Sequence, residues 1–184
     1  MRASRGVTLI ELVIAIVLIG IATIGITTSL FPLSRQSAEL VLASRAAELG
    51  HAVMDEIISR KFDHNSGELG GLPVCISEDR TLETGELSCT SPGALQAEGE
   101  DGETQRGQYN DVDDFNGLRG AVGDALGVDL AGQYPNYAVS IDVYYDANLD
   151  GTADATMGDR KRIDVEVTDP QGNQYDFAVY RGNF

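Results

Sequence analysis

The chain has 184 residues, with 13 lysines and arginines against 29 aspartates and glutamates, and a formal net charge of −16. That length allows one globular domain of ordinary size plus one long extra element. The acid excess gathers in the second part of the chain, in runs such as Glu98, Glu100, Asp101, Glu103 and Asp111, Asp113, Asp114; such a surface repels nucleic acid and anionic lipid headgroups and suits solubility or cation binding.

The first element is an almost wholly apolar run of 25 residues, Val7 to Phe31, whose only charge is Glu11. At a rise of about 1.5 Å per residue it is long enough to cross a hydrocarbon core of about 30 Å. Arg2 and Arg5 precede it with no acid among them. The positive-inside rule therefore keeps the N-terminus in the cytoplasm and sends everything after Phe31 to the other side, the periplasm in a Gram-negative cell. A cleaved secretory signal also has a basic start, but its apolar region is only about 7–15 residues and ends at an A-x-A-like site. Here the run is longer and no such site follows. Glu11 is costly inside a membrane span and reads first as functional.

The residues Gly6-Val7-Thr8-Leu9-Ile10-Glu11-Leu12, behind a short basic leader, resemble the class III signal of type IV pilins and type II secretion pseudopilins. The resemblance implies cleavage after Gly6 by a membrane prepilin peptidase and N-methylation of the new first residue, Val7, where the family usually has Phe. It also implies that Glu11 pairs with the N-terminal amine of a neighbouring subunit during assembly. Loss of Arg2 and Arg5 would take the formal charge from −16 to −18.

Beyond Phe31, Leu42, Ala46, Leu49, Val53 and Ile57 recur at helical spacing, with Arg45, Glu48, Asp55 and Glu56 between them. This predicts an amphipathic helix with one stripe for a sheet to cover. A helix from Val7 to about Arg60 is the lollipop stem the resembled family implies. Pro32 predicts a kink or break between Thr27 and Pro32, since proline removes a donor and clashes with the preceding turn. His51 and His64 lack the partners of a metal site, and His51 reads as a structural contact or exposed.

From Asp63 to about Tyr134 the chain is irregular, with a short helix expected over Leu118 to Leu126. Cys75 and Cys89 lie here; they can pair in an oxidising compartment and close a loop of about fifteen residues, worth on the order of 3 kcal/mol. From Asn136 the pattern changes to period two: Tyr137, Val139, Ile141, Val143; then Ile163, Val165, Val167; then Tyr175, Phe177, Val179. These are three half-buried strands, the last two joined by turn residues Asp169 to Asn173, and they predict an antiparallel meander over the helix stripe. The fold class is α+β, a long N-terminal transmembrane and amphipathic helix packed on a small antiparallel sheet. The expected division is a leader at 1–6, a transmembrane half of the helix at 7–31, its amphipathic half at 32–62, and a head at 63–184 whose loop region is 63–135 and whose strands occupy 136–184.

Between the first two strands, Asp146, Asn148, Asp150, Thr152 and Asp154 alternate around Gly151. Oxygens at every second residue with glycine sixth match the opening of a calcium loop, although Met157 stands where an EF-hand needs Glu. A polar hairpin loop whose Asp and Asn bond the backbone is the alternative. Asp111, Asp113 and Asp114 are a weaker version of the same pattern. No nucleophile motif, P-loop or His cluster points to an enzyme. The segments Ala47–Ile57, Tyr109–Gly117 and Val179–Phe184 are similar to minor pilins of mannose-sensitive haemagglutinin pili. That implies a structural pilus subunit supporting attachment, partnered by other pilins and by the peptidase; the alternatives are a secretion pseudopilin and a membrane-tethered calcium- or ligand-binding module that does not polymerise.

Overall fold

The computed structural model describes residues 6–67, 74–77, 81–97, 103, 105–126 and 128–184, without the side chains of 29–36, 124 and 128–129. The leader residues Met1 to Arg5 and the acids Glu98, Glu100 and Asp101 lie outside that set. The chain divides into two compact units, Met1–Leu42 and Ala43–Phe184. The first helix, α1 (Leu9–Ile58, 50 residues), contributes to both. The backbone stays helical through Pro32, so of the expected kink or break the break is absent. One donor is lost from a long ladder that the turns on either side keep in register.

In the first unit, Leu9–Thr28 has a mean hydropathy of 2.8 and presents its apolar side chains outward all round. Its hydroxyls are used locally: Thr23, Thr27 and Thr28 donate to the carbonyls of Ile19, Thr23 and Ile24 at 2.7–3.0 Å. No hydroxyl among these three is left for an apolar medium to penalise.

The second unit is a helix on a sheet. Four antiparallel strands run in the order β1 (Arg119–Ala121), β2 (Ala138–Tyr145), β3 (Arg160–Thr168) and β4 (Gln174–Gly182). The three long ones are a meander whose register aligns like faces: Ile141 opposite Val165, and Val165 opposite Phe177. Along β2 and β3 every second residue is buried, which is period two meeting a single covered face. Ala46, Leu49, Val53 and Ile57 of α1 are buried in the same core. At Gly50 the helix approaches β4 so closely that an added Cβ would stand 2.5 Å from the Phe177 ring. The His51 ring lies tilted beside that ring, centroids 5.7 Å apart and planes at 59°.

The helix expected over Leu118 to Leu126 is instead strand β1 followed by one helical turn, α2 (Val122–Ala125), with a second turn, α3 (Val128–Ala131). Gly120 explains the difference, since its φ of 128° is incompatible with a helix and ordinary for glycine. Between α1 and β1 the loop residues Phe62, Cys75, Cys89 and Leu95 form a second apolar cluster with Tyr145 at the end of β2. Cys75 and Cys89 are joined as a disulfide with Cα atoms 4.9 Å apart. Asn116 ties the loops to the sheet by accepting from Val143 N–H and donating to the Leu95 carbonyl, at 2.9 and 2.7 Å. A 3-10 turn at Asp113–Phe115 precedes it.

Candidate functional site

At the start of α1, Thr8-Leu9-Ile10-Glu11 has the form of a capping box. The Thr8 hydroxyl accepts the Glu11 backbone N–H at 3.3 Å, which satisfies one of the four donors a helix leaves unpaired at its N-terminus. Gly6 and Val7 stand outside the helix, and both are exposed. The residues of the expected cleavage site therefore lie outside regular secondary structure and open to solvent. Glu11 carries the only charge between Leu9 and Thr28. Its place in the first turn is favourable for an acid, by about 0.3–1 kcal/mol, through the helix dipole alone.

The loop between β2 and β3 is closed by its own backbone. Asp146 is fully buried and accepts the N–H groups of Asp150 and Gly151 and the Tyr180 hydroxyl, at 2.7–3.0 Å. Burial alone would raise its carboxyl, but the bonds from Tyr180 and from the backbone of Gly151, Asp150 and Leu149 outweigh it and hold the group below its ordinary value. Asn148 and Asp150 accept the N–H groups of Asp150 and Thr152, and Asp154 accepts that of Ala147. Gly151, at φ 79°, makes the turn that brings these oxygens round, while Leu149 adopts φ 63° without glycine's freedom. The side chains of Asp146, Asn148, Asp150 and Asp154 thus belong to one loop. Its donor set, carboxylates with an amide oxygen and the Thr152 carbonyl, is the hard-oxygen chemistry calcium takes.

A second cluster was not legible in the sequence beyond its three aspartates. Lys161 faces inward from β3 and is fully buried, as are Asp63 and Asp113. Its Nζ donates to Asp113 Oδ2 at 2.7 Å, the Phe62 carbonyl at 2.9 Å and Asp63 Oδ2 at 3.0 Å. The Phe62 and Tyr145 rings lie beside it, 4.4 and 5.1 Å from nitrogen to centroid. Asp63 is fixed by Thr90 N–H at 2.7 Å and by Asn65 N–H. Asp111 accepts the N–H groups of Asp113 and Asp114, and Asp114 accepts those of Asn110 and Asp111. Burial pushes the Asp113 carboxyl well above its ordinary value; Lys161 pulls it down, and Asp111 and Asp63 add to the rise. Burial and the neighbouring Asp114 raise Asp111 to about 6. One oxygen on each of Asp111, Asp113 and Asp114 has no hydrogen-bond partner. The signal that points to Lys161 is the alternation itself: Val167, Val165 and Ile163, continued by two residues, reach an inward lysine.

Residues 1–27 match the prokaryotic N-terminal methylation motif. No curated protein and no solved structure matches the chain. The motif supports a type IV pilin-like or pseudopilin protein and implies processing by prepilin peptidase and assembly with other such subunits. With the apolar helix behind it, it is consistent with membrane anchoring.

Proposed function

We propose that the chain is a minor pilin, a structural subunit without catalytic function, of a type IV pilus like the mannose-sensitive haemagglutinin pilus. It is cut after Gly6, methylated on Val7, held in the inner membrane by α1 with its head in the periplasm, and assembled into a surface filament that supports attachment. The observation that carries this reading is a single acid, Glu11, one turn into a helix that is otherwise apolar and outward-facing as far as Thr28. In an apolar medium an unpaired carboxylate is costly, and the amine that cleavage would free on Val7 is the natural partner across a subunit contact. Arg2 and Arg5 favour a cytoplasmic start, and the Cys75–Cys89 disulfide suits an oxidising compartment for the head.

The test is Glu11→Ala expressed beside the parent chain. The variant inserts in membranes at the parent level and is depleted from sheared pili. Equal recovery in pili at equal membrane abundance refutes the assembly role and leaves the helix-start contribution alone. Deleting the chain distinguishes the machine, because loss of piliation with exoprotein export intact supports the pilus and the reverse supports the secretion pseudopilus. A calcium ion on Asp146, Asn148, Asp150, Asp154 and the Thr152 carbonyl is proposed as a separate feature of the head. It is supported by the donor set and by the lone pairs that Asn148, Asp150 and Asp154 keep after bonding the backbone.

A further inference from the structure

Lys161, Asp63 and Asp113 are all fully buried, and the ammonium position is walled by the Phe62 and Tyr145 rings. Three acceptors around one Nζ would by themselves describe an ordinary buried ion pair. The charge balance is different here. Asp63, Asp111, Asp113 and Asp114 are all at most 2% exposed, around one lysine. The nearby Arg60 and Arg106 are both engaged with Glu56. Asp113 gives one oxygen to Lys161 and keeps the other without a partner. Asp63 presents Oδ2 to the same nitrogen from the other segment, with its orientation set by two backbone N–H groups.

We propose that Lys161 and Asp113 condense into an intramolecular amide, an isopeptide bond between β3 and the 3-10 turn, with Asp63 carrying the proton. A proton first passes from Nζ to the Asp113 carboxylate, leaving an amine and a carboxylic acid, the neutral pair that a dry site favours over separated charges. The Nζ lone pair then attacks Asp113 Cγ. Asp63 Oδ2 accepts one amine hydrogen and returns it to the departing hydroxyl, so the C–O bond breaks, one water leaves, and Asp63 ends as it began. No oxidant or other reactant enters. Burial opposes the ionisation that blocks this condensation in water, and contact distances set by the fold replace a bimolecular encounter, with effective molarities on the order of 10⁵–10⁸ M for well-oriented groups. The product joins segments 48 positions apart in the chain and removes a buried charge pair.

Tryptic mapping of the full chain purified from its membrane tests this. Trypsin cannot cut after an acylated lysine, so the expected product is branched: Gly107–Arg119 linked through Asp113 to Lys161–Arg162, lighter by one water than the two peptides together. A linear Gly107–Arg119 peptide at full mass overturns the proposal and leaves an ion pair. The same peptide lighter by one water but unbranched, the mark of a succinimide, overturns it as well. Asp113→Ala abolishes the branched species. Asp63→Asn keeps the side-chain size and removes the proton carrier, so the folded variant shows the branched species strongly reduced; formation at the parent level refutes the role of Asp63.

Discussion

Replacing Asp111 by Asn stabilises the head at neutral pH and loses that advantage in acid. Asp111 is fully buried, and burial first, then the neighbouring Asp114, raises its carboxyl from the ordinary 3.8 to about 6. The folded chain therefore holds this proton up to about pH 6, whereas the unfolded chain releases it near 3.8. Between those values the folded state binds more protons, so stability falls as pH rises and the full cost is present above 6. A separation of that size corresponds to about 3 kcal/mol. Asparagine is neutral throughout, and its carbonyl oxygen can keep the two bonds Asp111 Oδ1 accepts from Asp113 and Asp114 N–H, at 2.8 and 3.3 Å. Forming the Lys161–Asp113 amide would remove a cation that lowers Asp111, which leaves the sign unchanged. The assay is unfolding of the full chain in detergent followed by tyrosine emission, because the chain has 7 tyrosines, Tyr109 to Tyr180, and no tryptophan. At pH 7 the variant melts higher by up to about 6–12 °C, taking about 2–4 °C per kcal/mol at this chain length. At pH 4 the two chains coincide. A variant less stable than the parent at pH 7, or an advantage independent of pH, refutes the account.

Removing both cysteines, Cys75→Ala with Cys89→Ala, costs about 3 kcal/mol through the freed loop, and reductant brings the parent chain to the same midpoint. Gly50→Leu drives a side chain into the Phe177 ring, at a cost of about 1–3 kcal/mol as for other overpacked sites; adding Phe177→Ala recovers part of the loss, and full additivity of the two changes rejects the contact. If the β2–β3 loop holds calcium, millimolar calcium raises the melting point of the parent chain and chelator lowers it, by an amount that grows as the logarithm of free ion over its dissociation constant. Asp150→Ala then abolishes the difference, and a melting point indifferent to calcium and chelator removes the ion from the loop.

The helix and the long strands were legible because each has one covered face, and a single covered face writes its period into the chain. Ala46, Leu49, Val53 and Ile57 carry the helical spacing, and all four are buried. Val139, Ile141 and Val143 carry the strand spacing, and the sheet registers them against β3. Strand β1 has no such face: all three of its residues are exposed, and beside the backbone ladder its pairing with β2 rests on Arg119, whose guanidinium reaches Ser140 and Asp142, contacts that no apolar period records. The loops between α1 and β1 are specified by single bonds across long separations, such as Asn116 to Leu95 and Val143. A local reading of the chain sees none of these.

The polar chemistry divides in the same way. Gly151 and the alternating oxygens of Asp146 to Asp154 are local, so the loop they form was visible as a pattern and the structure places their hydrogen bonds within it. Lys161 depends on partners 98 and 48 positions away, and a lysine beside Arg160 and Arg162 reads as one more solvent-facing charge. Only the register of β3 distinguishes the three. Arg162 lies on the outer face against Asp164, while Lys161, one residue earlier, turns inward and is fully buried. A slip of one residue would send Lys161 to solvent and strand Asp63 and Asp113 in the core without a cation, as well as turning Ile163, Val165 and Val167 outward. The lysine and the apolar residues therefore select the same register, and the buried acids act as a constraint on strand alignment that hydrophobic burial alone would supply less sharply.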